Sequence, residues 1–529
     1  MRKPFLLLAT TTMALSLLSL TACPGASKID KYTKDGKLIV SARNLYFGAY
    51  AGGDSYIEEV EKNFGLKFEF ATYDWSNWTT QVTGSINGMN MEDIFHANVD
   101  SYNFASTYKF WAEEQITKPL PSDLSRWPNI QTMIENITNK DALYINGKLY
   151  GIPIAKNTTD YSTTFSPFTY VYRRDWAKKW GVYKENDEYT WSEFKALLEK
   201  FKTELASSNR YALADVEWGF PSITNFYKQV PHCFAFDTAQ NKYVNNYTTP
   251  EYINGLNESK LFMSSGWYQP GQNSAKDGDM NKKYYGNSVG VLYENLSYSN
   301  YINLREAIRK TNASNPDFSV DDATAIMKIR GADGKYALEG TDNWFSMTLF
   351  DYRISDKKQE KVLDLLNWLL SDEGTRFAIF GHEGYDYDII DGNVVIKPEA
   401  WPKDKNGQIA DKDNGAKYLR YLVSLGYDTL RDDPLSNLAV VEYLEDWEAQ
   451  MKTALANNEL KVLKENEEVM WLTTPKKALN SGNMRTVALQ NVMKYVYGSN
   501  GITTVDKFKA TFGNTWTEVL AEINAATGH

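Results

Sequence analysis

Cysteine and histidine are scarce enough in this sequence to exclude whole classes of explanation. Its 529 residues include two cysteines, Cys23 and Cys233, so no disulfide framework is available and stability must come from packing. The four histidines, His96, His232, His382 and His529, stand at no metal-ligand spacing from one another. Positive charge is also short, with 57 Lys and Arg against 67 Asp and Glu and a net charge of −10. That balance argues against a phosphate backbone as the main partner, since such binding relies on clustered cations. No Walker phosphate loop occurs, and no G-x-G-x-x-G follows a strand pattern. Past residue 20 no segment is apolar and long enough to span a bilayer.

The one long apolar run stands at the start. Arg2 and Lys3 precede Phe5 to Leu20, and the sequence turns polar directly afterwards, which is the pattern of a secretory signal rather than a permanent membrane helix. Leu20-Thr21-Ala22-Cys23 resembles the bacterial lipobox, which implies that residues 1–22 are a lipoprotein signal peptide and that Cys23 carries the lipid. Two or more acyl chains give stable anchoring where one does not. The polar stretch from Pro24 to Lys37 then reads as a short tether, and residues 23–37 as lipidated cysteine plus tether. With Cys23 lipidated, Cys233 has no partner.

Without residues 1–22 the chain still exceeds what one core supports, so at least two domains are expected. Hydrophobic residues at 43% and charged residues at 23% suit a globular interior. Aromatic residues stand out, with 35 Tyr, 24 Phe and 15 Trp. Most must fill cores, but a surplus of Tyr and Trp also suits a site that stacks flat faces on a ligand.

Along the chain, Leu38-Ile39-Val40 reads as a strand followed by a loop, Asn44 to Gly53. Ile57, Val60 and Phe64 fall at helical spacing behind Asp54 as N-cap. Leu66 to Ala71 alternates like a strand, Trp78 to Ile86 reads as a helix, and Asp93-Ile94-Phe95 as a further strand. Asn146-Gly147 between two apolar runs marks a hairpin. Tyr170 to Arg173 reads as a strand running into a helix from Asp175 to Trp180. Thr190 and Glu193 form a capping box for a helix through Phe201, and a capped helix starts at Ser355. From Tyr418 the chain reads largely helical. Alternating strands and helices imply an α/β protein with mainly parallel sheets.

Four segments together resemble the family 1 extracellular solute-binding proteins, especially the long lipoproteins of oligosaccharide importers. They are Gly147-Lys148-Leu149-Tyr150-Gly151-Ile152-Pro153, Tyr172-Arg173-Arg174-Asp175-Trp176, Thr190-Trp191-Ser192-Glu193-Phe194 and Ser371-Asp372-Glu373-Gly374. Gly501 to Asn524, with Trp516 and Glu518, fits the family's closing helix. The resemblance implies a two-lobed periplasmic-binding-protein fold, type II-like, with a cleft between lobes and an extended helical C-terminal part. Residues 38–152 plus 336–395 would form the N-terminal lobe, and 153–335 plus 396–529 the C-terminal lobe. Pro153 would enter a crossing strand, Asp175 would cap the first helix of the second lobe, and Ser371 to Gly374 would end the helix from Ser355. Some long relatives carry an acidic calcium loop after the helix matching Thr190 to Leu205. Here Ala206 to Tyr211 has no carboxylate, whereas calcium wants six to eight oxygens. Asp404 to Asp413 is acidic but lacks the Gly and Glu of a calcium loop. No metal and no cofactor are expected.

Ligands of open α/β sheets sit beyond the carboxyl ends of strands, which picks Tyr46, Trp75, Trp78, Asn98 and Asp100 in the first lobe. A pyranose offers apolar faces and a girdle of hydroxyls, matched by aromatic platforms beside Asp, Asn and Glu acceptors. Asn157, Trp218, Phe220, Glu294 and Tyr298 match the family's ligand-facing segments of the second lobe by position, and Trp344 and Trp471 complete the candidates. The expectation is an anchored, monomeric receptor on the outer face of the cytoplasmic membrane that captures an oligosaccharide by cleft closure for an ABC permease. A peptide receptor is the alternative. An extracellular carbohydrate-active enzyme is a further one, because glycosidase carboxylates need no fixed spacing, but no converging catalytic set is visible and the chain is not expected to be an enzyme.

Overall fold

The structure is a computed structural model. It describes residues 27–529 apart from 51, 75–76, 98–103, 159–163, 207–209, 216–221, 270–277, 404–408, 411, 413, 427–429, 432, 434 and 499. Cys23 lies outside the described residues, as do Trp75, Asn98, Asp100, Trp218 and Phe220.

Two five-stranded sheets organise the chain. The first runs in the order Leu66–Thr72, Leu38–Asn44, Ile94–Ala97, Trp344–Phe350, Gly151–Ala155. Leu38–Asn44 lies parallel to both neighbours, with Leu38 opposite Leu66 and Ala42 opposite Ile94. The last two strands are antiparallel, Met347 facing Ala97 and Pro153. Pro153, which has no N–H to donate, sits in the outermost strand of this sheet. The second sheet orders Tyr211–Asp215, Val289–Asn295, Phe168–Tyr172, Ala325–Ile329 and Glu188–Tyr189. A third sheet, Leu460–Leu463, Tyr336–Thr341 and Thr164–Phe165, lies where the chain passes between the other two.

Local signals explain most of these elements. The Asp54 carboxylate accepts from the Ile57 N–H at 2.9 Å and opens the helix Ser55–Phe64, which buries Ile57 and Val60 and stops at Gly65 with φ of 63°. Thr190 and Glu193 close a full capping box on Trp191–Leu205. Asn146 and Gly147 both take positive φ, 52° and 74°, between the paired Tyr144–Ile145 and Lys148–Leu149, as a type I′ turn needs.

Four details correct the reading. Asp175 lies inside the first turn of Arg174–Lys179 and caps nothing; its carboxylate instead receives the Arg173 guanidinium. The helix from Ser355 ends at Leu369, and Ser371 opens a second helix, Asp372–Phe380, by accepting from the Gly374 N–H. Gly374 is therefore a helical residue, required because a Cβ there would meet the Trp368 carbonyl at 2.0 Å. The largely helical C-terminal third contains the strand Leu460–Leu463, paired in parallel with Tyr336–Thr341. Finally, Ala416, Leu419, Leu422 and Val423 pack into the core of the first sheet with Val40, Phe95 and Leu349, so the chain passes between the two sheets a third time.

The second sheet is covered on both faces, by Phe194, Leu197 and Phe201 on one side and by Tyr284, Tyr301 and Ile308 on the other. The C-terminal helices build a further core around Cys233, Tyr252, Val492 and Trp516. Among the described residues no helix is long and apolar enough to cross a membrane.

Candidate functional site

Leu38–Asn44 and Ile94–Ala97 end at one edge of the first sheet, and an aromatic group gathers there. The Asn44 side chain accepts from the Tyr46 N–H at 2.9 Å and donates to the Tyr421 carbonyl at 3.2 Å, pinning both residues. The Tyr46 ring stacks on Tyr421 with centroids 4.9 Å apart and lies nearly parallel to His96 at 6.1 Å. Trp78 meets His96 edge-on at 4.9 Å and reaches Phe345 at 6.1 Å. His96 is fully buried, makes a short hydrogen bond with the Ser346 hydroxyl, and burial pushes its pKa down to about 3. It is a neutral spacer under the platform. Trp78 is buried, while Tyr46, Phe345 and Tyr421 keep part of their rings at the surface.

On the second sheet, Tyr293 lies 4.9 Å from Tyr170 and 6.0 Å from Phe168, and its hydroxyl receives the Asn225 amide at 3.0 Å. A cavity lined by Phe168, Tyr170, Asn225, Tyr293, Tyr336 and Trp447 opens between this sheet and the third one. Asp215 ends its strand buried; it accepts from the Ser222 N–H, the Ser222 hydroxyl at 2.6 Å and the Tyr268 hydroxyl at 2.9 Å. Burial raises its pKa to about 6 although these bonds pull it down. The two residues that bracket 216–221 are thereby tied together.

Between the sheets, the Lys156 ammonium donates to the Thr341 hydroxyl at 2.6 Å and the Asp342 carbonyl at 2.7 Å, beside Asn157. The Asp342 carboxylate accepts from Thr138 and Asn139 and stands 3.9 Å from Lys464; its pKa is raised, chiefly by burial. These bonds tie the segment after Gly151–Ala155, together with Thr138 and Asn139, to the link between Tyr336–Thr341 and Trp344–Phe350.

Of the residues singled out from sequence, Tyr46 and Trp78 come together. Trp344 does not reach a surface: it is 0% exposed, donates its indole N–H to the Thr138 carbonyl and stacks on the half-buried Trp471 at 6.4 Å. It is a core residue here, because the strand that carries it lies inside the first sheet, between Ile94–Ala97 and Gly151–Ala155. Glu294 is buried on Val289–Asn295 with its carboxylate accepting from the Asn295 N–H, and the Tyr298 hydroxyl accepts from the Asn437 N–H at 2.7 Å. Tyr298 thus ties two helices together. Sequence reasoning missed His96, Phe345 and Tyr421. Only His96 left a signal, as a lone polar residue in an apolar strand.

One letter match also needed its context. Gly286-Asn287-Ser288-Val289-Gly290 fits the G-x-S-x-G of hydrolases, yet it leads from the helix Asp279–Tyr285 into the strand Val289–Asn295. A nucleophile elbow turns the other way, from strand to helix. Among the described residues, no group of three or more His, Cys, Asp or Glu is placed to hold a metal ion.

No family model matches the sequence, and no curated protein matches it either. Solved structures do match. An alginate-binding protein, AlgQ2 without calcium ion, superposes with a TM-score of 0.63 at 14% identity over 95% of this chain and 100% of its own. The fold is that of the extracellular solute-binding proteins. A protein of that description from Bifidobacterium longum subsp. infantis gives 0.61 at 13% identity, covering 93% of this chain and 97% of its own. The ABC-transporter substrate binding protein FusA of S. pneumoniae, in complex with kestose, gives 0.60 at 12% identity over 92% and 98%. The solute-binding fold therefore spans nearly the whole chain.

Proposed function

We propose that this chain is the receptor of an ABC importer, and that it captures an oligosaccharide between its two lobes and presents it to the permease. The observation that carries this reading is the stacked pair of half-buried tyrosines, Tyr46 and Tyr421, at the carboxyl edge of the first sheet. Flat aromatic faces held by backbone anchors suit the C–H face of a sugar ring, and their position is where open α/β folds bind ligands. Structures of the same fold are named as binding alginate and kestose. Trp75, Asn98, Asp100, Asn157, Trp218 and Phe220 complete the site in our reading, supplying further platforms and hydroxyl acceptors.

The first lobe is taken as the first sheet with its helices, and the second as the second sheet with the C-terminal helices. Closure follows from differential affinity, since a ligand touching both lobes favours the state in which they meet. We further propose that the receptor is monomeric and held at the outer face of the membrane through a lipid on Cys23, and that it performs no catalysis. Thermal-shift screening of the mature chain against oligosaccharide and peptide panels tests the reading. A saturable rise with sugars alone supports it; a rise with peptides alone, or release of shortened sugars, refutes it.

A further inference from the structure

The expected tether is fixed into the first lobe almost as soon as the described chain begins. The Lys28 N–H donates to the Arg353 carbonyl, and its ammonium donates to the Met91 carbonyl at 2.7 Å and to Asp93 at 3.1 Å, with Asp351 at 3.0 Å. Ser355 donates to Asp30 at 2.7 Å, and Tyr32 bridges to Leu38. Only four residues separate Lys28 from Cys23, a reach of at most about 18 Å when fully extended. Leu38–Asn44 starts at this pole and runs to the aromatic edge, so the platform lies roughly 23 Å farther off, the length of a seven-residue strand.

The surface of this pole has its own chemistry. Ile29 is 85% exposed, Met89 55% and Tyr32 47%, and Arg353 donates to the Met89 carbonyl, holding it beside Lys28. Lys31, Lys34 and Lys357 are exposed around them, with the Lys357 ammonium 3.2 Å from the Tyr32 hydroxyl. Two exposed acids share this surface, and each pairs with a lysine of its own, Asp356 with Lys118 at 2.8 Å and Asp35 with Lys37 at 3.7 Å, so Lys31, Lys34 and Lys357 leave the pole net basic. Apolar tips, an amphipathic tyrosine and a basic surround suit the interfacial region of an anionic bilayer.

We propose that this pole is a lipid-facing surface, seated on anionic headgroups of the membrane that holds Cys23, so that the cleft opens away from the bilayer while the receptor awaits ligand. The orientation rests on the anchor reading; the surface chemistry does not. The test uses the mature chain from Pro24 with a hexahistidine tag in place of Cys23, bound to vesicles of phosphatidylcholine and nickel-chelating lipid with or without phosphatidylglycerol. Hydrogen exchange should slow by about tenfold or more at amides of 29–36 and 88–90 on phosphatidylglycerol vesicles relative to solution. The variant I29S/K31E/Y32S/K34E should lose that protection with its melting temperature unchanged. Unchanged exchange at these amides, equal slowing without phosphatidylglycerol, or protection confined to other faces would each overturn the proposal. Because the tag holds the chain whatever Cys23 does, failure of the anchor reading shows separately, as membrane partition of a Cys23→Ala protein in cells.

Discussion

Acidification should act on this protein through His96, and the size of the effect follows from its burial. The imidazole is fully enclosed by Tyr46, Trp78 and Phe345, and burial lowers its pKa from 6.5 to about 3. Between those values the unfolded chain binds a proton that the folded chain refuses, so stability falls as pH falls through the window. At pH 4.5, two units below the unfolded value, the loss is on the order of 2–3 kcal/mol at about 1.36 kcal/mol per unit. Asp215 works in the opposite sense. Its folded pKa is raised from 3.8 to about 6, so its contribution is fully present below 3.8 and is lost as pH rises through 6. The bare pH profile therefore mixes signs. The contribution of His96 is isolated by urea unfolding of wild type and His96→Phe at pH 8, 6 and 4.5. At pH 8, loss of the bond to Ser346 should cost the variant about 1–3 kcal/mol, and on going from pH 8 to 4.5 its stability relative to wild type should improve by roughly 2–3 kcal/mol. Profiles that stay parallel would refute the reasoning.

Trp344→Ala should destabilise by about 3–5 kcal/mol, read as a lower denaturation midpoint, because it empties a fully buried site. Tyr46→Ala and Tyr421→Ala should instead weaken sugar binding, by roughly 0.5–1.5 kcal/mol each beyond the area lost, in calorimetric titrations. Gly290→Ala should cost about 1–3 kcal/mol through overpacking, since its Cβ would fall 2.2 Å from Phe201; a variant as stable as wild type would show that the second lobe can yield there.

The parts legible in the sequence were those written in local chemistry. The Asp54 cap, the Thr190–Glu193 box and the Asn146-Gly147 turn each satisfy backbone groups within a few residues, so the letters suffice. Segments whose place depends on distant partners were not legible. From Tyr418 the sequence reads simply as helical, and only packing reveals that Ala416 to Val423 joins the first core. Leu460–Leu463 is too short to announce itself and becomes a strand because Tyr336–Thr341 offers an edge. The site shows the same division: Tyr46 and Trp78 follow from strand ends, whereas Tyr421 stacks on Tyr46 across 375 positions of sequence, and Trp344 resembles a cleft tryptophan in every local respect except its burial.

The central claim is that one sugar bridges two lobes that close upon it. Small-angle X-ray scattering of the mature chain, without and with a saturating oligosaccharide chosen by the thermal screen, measures this directly. The account predicts a smaller radius of gyration in the bound state, and loss of that contraction along with binding in a Tyr46→Ala, Tyr421→Ala double variant. Saturable binding with an unchanged radius would contradict it.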